Sequence, residues 1–520
     1  MTSKKAILSH KGLLISLALM AIVWEIVGQN ELLGHGTFPS LSGICSQLWR
    51  DRFDYTAHIS ATLQIALLGF IFGNLFSISL ALMFVLFRPL RLLMGFLTAV
   101  FSIPLLLLVP IVSLSFDDTI SKIVLASMAV YYQTLVLLLT GLESVDGQLI
   151  DVVLASGGGK WMVFRKLRMR ASLPALLTGF RVAAPAALLG AMLGEFAGAR
   201  WGLGVYLLAS TAQANPERVW GICVVSAGLA ATGYFLFGYI ESKLSFTSTT
   251  SLRLLTRPNL NRYFNQSVAI SCLRALAAFC ITLVMWGIIA RVFKVPFITK
   301  QPIEVFRYLL SLSAEDRSGL LTALRQTLSI GGFGLLVGLA IAFILAVVVF
   351  LKAEWSPFVL MPTFISQTVP IVALIPLIVL TFGRGTTTIL VVTVLATFFP
   401  SFVTIFQGLR SCPKDLIDLT RVYSDSRWPT LFKIQIPSAF PYLLASTRLA
   451  IPRVLLGVLL AEYLATRTGL GALFFDARGK LDFGLIWSIC AITAAISTVF
   501  THLFQFLESK AFAKYGSQDA

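Results

Sequence analysis

The reading turns on two stretches: LPALLTGFRVAAPAALLGAMLGEFAGARWGLG, beginning at Leu173, and FPYLLASTRLAIPRVLLGVLLAEYLATRTGLG, beginning at Phe440. Laid over each other without a gap, they pair Pro174 with Pro441, Arg181 with Arg448, Pro185 with Pro452 and Gly190 with Gly457. Glu195 pairs with Glu462, and Gly202 and Gly204 pair with Gly469 and Gly471. Chance does not align proline, arginine, glycine and glutamate in one ungapped register, so the chain carries an internal duplication. Upstream the match is looser. Pro104 and Pro110 answer Pro370 and Pro376, Gly69 answers Gly334, and Trp24 is paired with Trp286.

Both stretches are mostly apolar, and so is the rest of the chain. Its 520 residues are 57% hydrophobic and 12% charged, with a mean hydropathy of +0.86. A soluble domain carries about 25% charged residues. Soluble, disordered and disulfide-scaffold classes are therefore excluded, and a polytopic membrane protein remains. The net charge of +17 reads first as cationic inner loops and only then as a nucleic-acid surface, so no nucleic-acid partner is expected. The six cysteines form no CxxC pair and the four histidines stand apart, so no metal site or cofactor is expected.

Runs of roughly 20 uncharged residues mark the spans. About twelve are expected, as two parallel six-helix repeats in an all-α polytopic fold. They include Ser60–Phe87, Leu92–Phe116, Ile123–Leu142 and Ala171–Gly194 in the first set. Gln326–Leu351, Ser356–Gly383, Gly385–Leu409 and Tyr442–Ala461 belong to the second. The expected domains are residues 1–244, a polar cytoplasmic linker 245–267, and residues 268–520. The run after Lys4, Lys5 and Lys11 is read as a retained helix, with both termini inside. The cations from Lys160 to Arg170 and from Arg410 to Lys433 also fall inside, while the Asp117–Asp118 turn falls outside. The loop Lys294–Arg317 falls outside despite its cations. Parallel repeats are related by an axis along the membrane normal, and a translocation path belongs at their interface.

Between the fourth and fifth spans of each half lies a basic, partly apolar segment. The first is DVVLASGGGKWMVFRKLRMRASLP, residues 151–174, and the second is DLTRVYSDSRWPTLFKIQIPSAFP, residues 418–441. Here the chain resembles the permease subunits of binding-protein-dependent ABC importers, whose hallmark is an E-A-A-x3-G stretch followed by I-x-L-P. Asp151, Val152, Val153 and Gly157 take the E, A, A and G places, and Leu167 and Met169 the I and L places, with Arg170 where proline is expected. In the second copy Asp418, Leu419 and Thr420 lead, Ser424 replaces glycine, and Ile434, Ile436 and Pro437 complete the pattern. Lys160-Trp161 and Arg427-Trp428, the spaced prolines and the Glu-then-GLG ending resemble the nitrate/sulfonate/taurine-type permeases.

The resemblance implies a permease of the bacterial inner membrane with two copies of a cytoplasmic ATP-binding subunit and an external solute-binding protein. It implies transport of small solutes, anionic ones among them, and no enzymatic activity in this chain. The coupling positions are then Asp151, Gly157, Lys160, Trp161, Asp418, Ser424, Arg427, Trp428 and Pro437. Taken singly, each segment reads rather as a basic loop held inside with tryptophan at the headgroup belt, and it is the two copies in register, both matching the family pattern, that favour a docking knob. Gly157-Gly158-Gly159-Lys160 is not a phosphate loop, because Leu154 and Trp161 stand where Gly and Ser/Thr are needed.

Charges inside spans are functional candidates by default. Arg181, Arg448, Glu195 and Glu462 are candidate pathway or gate positions, and Arg453 is a further cation in the fifth span of the second half. Arg181 and Arg448 also lie near enough to the cytoplasmic end to snorkel. The competing class is an ion-gradient-driven secondary transporter with two six-helix halves.

Overall fold

The computed structural model describes residues 18–19, 21–31, 37–145, 147–244, 268–292, 297–352, 359, 370–412, 417–418, 420 and 427–515. The expected linker 245–267 lies outside them, as do residues 419 and 421–426 of the second EAA-like segment, Ser424 among them. The described residues are helical with no strand.

In the first half a helix over residues 21–29 is followed by α1 (Leu41–Arg50), α2 (Arg52–Leu86), α3 (Leu93–Ser102), α4 (Leu105–Ser115) and α5 (Asp118–Glu143). Then come α6 (Gly147–Ala155), α7 (Lys160–Glu195), α8 (Leu203–Ala212) and α9 (Pro216–Leu244). In the second half α10 (Val268–Val292), α11 (Pro302–Ser311) and α12 (Ala314–Leu351) precede α13 (Ile371–Phe382) and α14 (Thr386–Arg410). The chain ends in α15 (Trp428–Ala465), α16 (Gly469–Gly479) and α17 (Phe483–Tyr515). Eight of these are long and apolar enough to cross a bilayer. They fall four to each half in the same order: α2, α5, α7 and α9, then α12, α14, α15 and α17.

Two sequence expectations change in detail. The span expected as one helix over Leu92–Phe116 is broken, with α3 and α4 meeting at 96°. Pro104 stands at the break as the N-cap of α4, its extended ψ of 124° closing off the helix before it. The segment expected as a loop over residues 151–174 is helical for most of its length. It forms α6, a four-residue turn and the start of α7, joined to the span by a π-helical stretch at Val163–Arg168. The second half has the same device at Leu431–Gln435.

Within each half the helices pack through small residues. A Cβ on Gly69 of α2 would come within 2.3 Å of Ala126 Cβ on α5, and one on Gly334 of α12 within 2.6 Å of Thr393 on α14. Backbones approach this closely where packing, not apolar transfer, holds helices together in lipid. Two tryptophans pin one end of each half. Trp24 and Trp220 donate to the carbonyls of Pro39 and Thr37 at 3.1 and 3.3 Å. Trp286 and Trp487 donate to those of Lys300 and Ile298 at 3.0 and 2.8 Å.

The halves exchange contacts reciprocally. α4 packs against α15 and α17, while α13 packs against α7, α8 and α9. The shared core joins Leu106, Val109 and Leu193 of the first half to Val372, Ile375 and Leu460 of the second. The thiol of Cys223 reaches the Ala373 carbonyl, and that of Cys490 the Leu107 carbonyl, each across the interface.

Candidate functional site

At one end of the molecule each half carries the same carboxylate clamp. Glu195, the last residue of α7, and Glu462, close to the end of α15, are both fully buried. Thr62 Oγ1 on α2 donates to Glu195 Oε1 at 2.7 Å, and the N–H of Gly204 donates to Oε2 at 2.6 Å. Thr62 Oγ1 in turn accepts from Leu203 N–H at 2.7 Å. In the second half Thr327 on α12 donates to Glu462 at 2.8 and 2.9 Å, and Gly471 N–H donates to Oε2 at 2.8 Å. Leu470 N–H donates to Thr327 Oγ1 at 2.8 Å. The G-L-G motif is thus the start of a short helix whose free N–H groups are capped by a carboxylate and a hydroxyl from other helices.

The glycines are required by geometry. Gly202 has φ +146°, and a Cβ there would lie 2.2 Å from the Glu195 carboxylate carbon. Gly469, at φ +87°, would put one 2.1 Å from a Glu462 oxygen. Just beyond the clamps the halves meet. Phe196 and Phe474 share the central core, and Arg478 donates to the Ala197 carbonyl at 3.3 Å.

Arg181 and Arg448 each have an acidic partner on the last helix of their half. Arg448 Nε lies 2.7 Å from Glu508 Oε2, and Arg181 Nη1 lies 3.6 Å from Glu241 Oε2. Thr178 also donates to Glu241, at 2.8 Å, and the Arg181 guanidinium sits 4.1 Å over the Tyr234 ring. A buried charge is tolerable when paired in this way. Sequence spacing shows the arginines but not their partners, which lie 60 residues away along the chain.

The EAA-like segment of the first half protrudes. In α6 no residue is buried, and Leu149, Val152 and Leu154 are exposed together with Trp161 and Met162. Gly157, at φ +80°, ends α6 in a Schellman turn. Gly158 N–H bonds to the Val153 carbonyl at 2.9 Å and Gly157 N–H to the Leu154 carbonyl at 3.1 Å. That conformation is why glycine occupies the sixth place after Asp151. Trp161 is 63% exposed and stacks on Phe164 at 5.4 Å, and Trp428 is 59% exposed and stacks on Phe432 at 5.8 Å. Asp151, Lys160 and Asp418 are exposed as well, and Pro437 follows the second π-helical stretch at the head of the regular helix. Arg427 opens the short helical turn that contains Trp428. The two aromatic tips thus sit in the same setting at the start of α7 and of α15.

Comparison with known proteins agrees with this duplication. The chain is 30% identical over 205 residues to the formylaminopyrimidine transport permease protein ThiX of Halalkalibacterium halodurans, covering 39% of this chain and 80% of the relative. It is 36% identical over 143 residues to the riboflavin transport system permease protein RibX of Chloroflexus aurantiacus, covering 28% and 53%. It is 26% identical over 179 residues to the putative aliphatic sulfonates transport permease protein SsuC of Bacillus subtilis, covering 34% and 62%. The chain therefore spans less than two thirds of the length of the last two. Residues 73–246 and 334–511 each match the family described as binding-protein-dependent transport system inner membrane component. With both matches together covering more than half its length, the chain belongs to that family, carrying two copies of its domain in one polypeptide.

Proposed function

We propose that this single chain forms the whole membrane path of an ABC importer, with each half docking its own copy of the ATP-binding subunit through its EAA-like segment. As an inner-membrane component of a binding-protein-dependent system, the chain is a transport permease working with an ATP-binding subunit and a solute-binding protein, and it is not an enzyme. The proposal adds the two-copy stoichiometry and the domain limits 1–244, linker 245–267 and 268–520. It also adds cytoplasmic N- and C-termini and the assignment of the exposed segments as docking knobs.

The observation that carries the reading is the pair of exposed aromatic tips, Trp161 and Trp428, at the starts of α7 and α15. A stacked, exposed tryptophan rimmed by cations is the kind of anchor that fills a pocket on a partner. Asp151, Gly157, Lys160, Asp418, Ser424, Arg427 and Pro437 are assigned to shaping and rimming the same knobs. Glu195 and Glu462 fix the turns where the halves meet at the opposite end, and so act on an outer gate through Phe196 and Phe474. Arg181 and Arg448 brace the path-forming fifth helices against the last helix of each half. Ion-gradient coupling would need a carboxylate open to the path, whereas both buried glutamates are already fully engaged. The solute class is small, with the sulfonate-type relative favouring an anion.

Co-purification tests the docking. Trp161→Ala with Trp428→Ala inserts normally but loses the ATP-binding subunit, since a buried interface aromatic contributes about 2 kcal/mol or more, roughly thirtyfold in affinity. Normal ATPase binding by the double variant would refute it.

A further inference from the structure

Arg453 is a cation of α15 to which no described residue of its own half is paired. It lies near the middle of Ile436–Ala465, roughly 18 Å from the end of that helix at Ala465. Among the described residues it makes no hydrogen bond, ion pair or ring contact, whereas Arg448 on the same helix is bound to Glu508. It is nonetheless exposed, in a helix whose neighbouring positions Val454, Leu455 and Ala450 are buried.

Its direction follows from the helix period. Leu456 and Leu460, three and seven residues on, share its face; Leu460 belongs to the core that includes Leu106, Val109 and Leu193 of the first half, and Leu456, half-buried, packs against it. Leu449, four residues back, is exposed on the same face. Gly457, four residues on, also shares this face and packs on Ile371, Val392 and Ala396, while Arg448, about 140° around the helix, reaches α17. The face carrying Arg453 thus runs into the core that the two halves share, sealed at Leu456–Leu460 and open at Leu449–Arg453. The equivalent residue of the first half is Ala186, so the charge is single and off-axis.

We infer that Arg453 is an anion-binding position on the translocation path, which takes one oxyanion group, of the sulfonate or carboxylate class, on the transported solute. The inference rests on the reading of the half–half interface as that path. A guanidinium held unpaired inside the membrane is costly, and its planar fork matches an oxyanion in two parallel hydrogen bonds.

The test reads local charge selectivity in the full chain, reconstituted in phosphatidylcholine nanodiscs. Leu449→Cys, one turn from Arg453, is reacted with an anionic sulfonatoethyl and a cationic trimethylammonioethyl methanethiosulfonate. Rates are corrected for those of a free thiol and for the parent chain. With Arg453 present the anionic reagent should react about tenfold faster, as expected for a unit charge some 6 Å away in a partly hydrated site. Arg453→Gln should bring the ratio to about one, and Arg453→Lys should restore most of it. Millimolar ethanesulfonate should slow the anionic reagent severalfold with Arg453 and not with Arg453→Gln. A ratio unmoved by Arg453→Gln, a Leu449→Cys thiol inert to both reagents, or no protection by ethanesulfonate would overturn the inference. Collapse of the ratio in phosphatidylglycerol nanodiscs would assign Arg453 to a lipid headgroup and overturn the solute claim. The readout needs no ATPase, so the two readings fail separately. A selective site in a chain that binds no ATPase sinks the docking alone, and a ratio of one in an ATPase-coupled chain sinks the site alone.

Discussion

Thr62 stands between Glu195 and the backbone of the G-L-G turn, donating to the carboxylate at 2.7 Å and accepting from Leu203 N–H at 2.7 Å. Thr327 does the same for Glu462 and Leu470. One hydroxyl thus satisfies two buried groups on two other elements. Thr62→Val keeps the shape and strands both, at a cost of about 2 kcal/mol or more. Thr62→Ser, which keeps the hydroxyl, stays near the parent. Thermal unfolding of the purified chain in detergent separates the three, and equal stability of the valine and serine variants would remove the clamp from the stability argument.

The two arginine–glutamate ties differ in geometry, and their loss should differ accordingly. Arg448→Ala leaves Glu508 buried opposite no cation, which costs about 3–5 kcal/mol, and Arg448→Met with Glu508→Leu recovers most of it. Arg181→Ala is milder, because Glu241 keeps the Thr178 hydroxyl at 2.8 Å and its ion pair is already 3.6 Å long. Yield and melting temperature of the three variants check the order. Arg181→Ala matching Arg448→Ala would contradict it.

What sequence could show here depended on whether both partners of a contact carry a local signal. The arginines, the glutamates and G-L-G repeat in one register, so the duplication was legible in the sequence, and the eight long helices lie among the roughly twelve spans expected from it. Thr62 and Thr327 were not, since a threonine in an apolar run looks like any other until the turn 140 or so residues away is folded against it. Glu241 and Glu508 sit at the tails of the last helices, where acidic residues read as solvated ends. The α3–α4 break was hidden because hydropathy averages over Pro104. Arg453 was visible as a charge in a span, but only packing separates it from Arg448.

Outside the spans, Asp51 supplies a pH-dependent tie. Burial pushes its carboxyl up, but hydrogen bonds from Arg218 and Gln47 outweigh it and hold the group below its ordinary value of 3.8. A depressed acid contributes stability that is present above its unfolded pKa and lost as pH falls through its folded pKa. The parent should therefore hold its α1–α9 contact at pH 5 and above and lose about 1 kcal/mol of it below pH 4. Asp51→Asn removes that acid-side slope, and melting curves taken from pH 3 to 6 show whether it does.

The last prediction isolates the shape of the first docking knob from its chemistry. Gly157 holds φ +80° with nothing within 4 Å of an added Cβ, so alanine there meets strain but no clash. A non-glycine residue in the left-handed region costs about 1 kcal/mol, enough to loosen the Schellman turn that sets α6 against α7. Gly157→Ala should insert and fold at normal level, because α6 buries no residue of its own, and should still expose Trp161 to quenchers. ATP hydrolysis stimulated by the solute-binding protein should nevertheless fall severalfold, since the tryptophan and the exposed leucines no longer share one rigid surface. Gly157→Asn, a residue that tolerates this conformation, should recover part of the loss. Full stimulation in the alanine variant would mean that the turn is a passive connection and that docking depends on Trp161 alone.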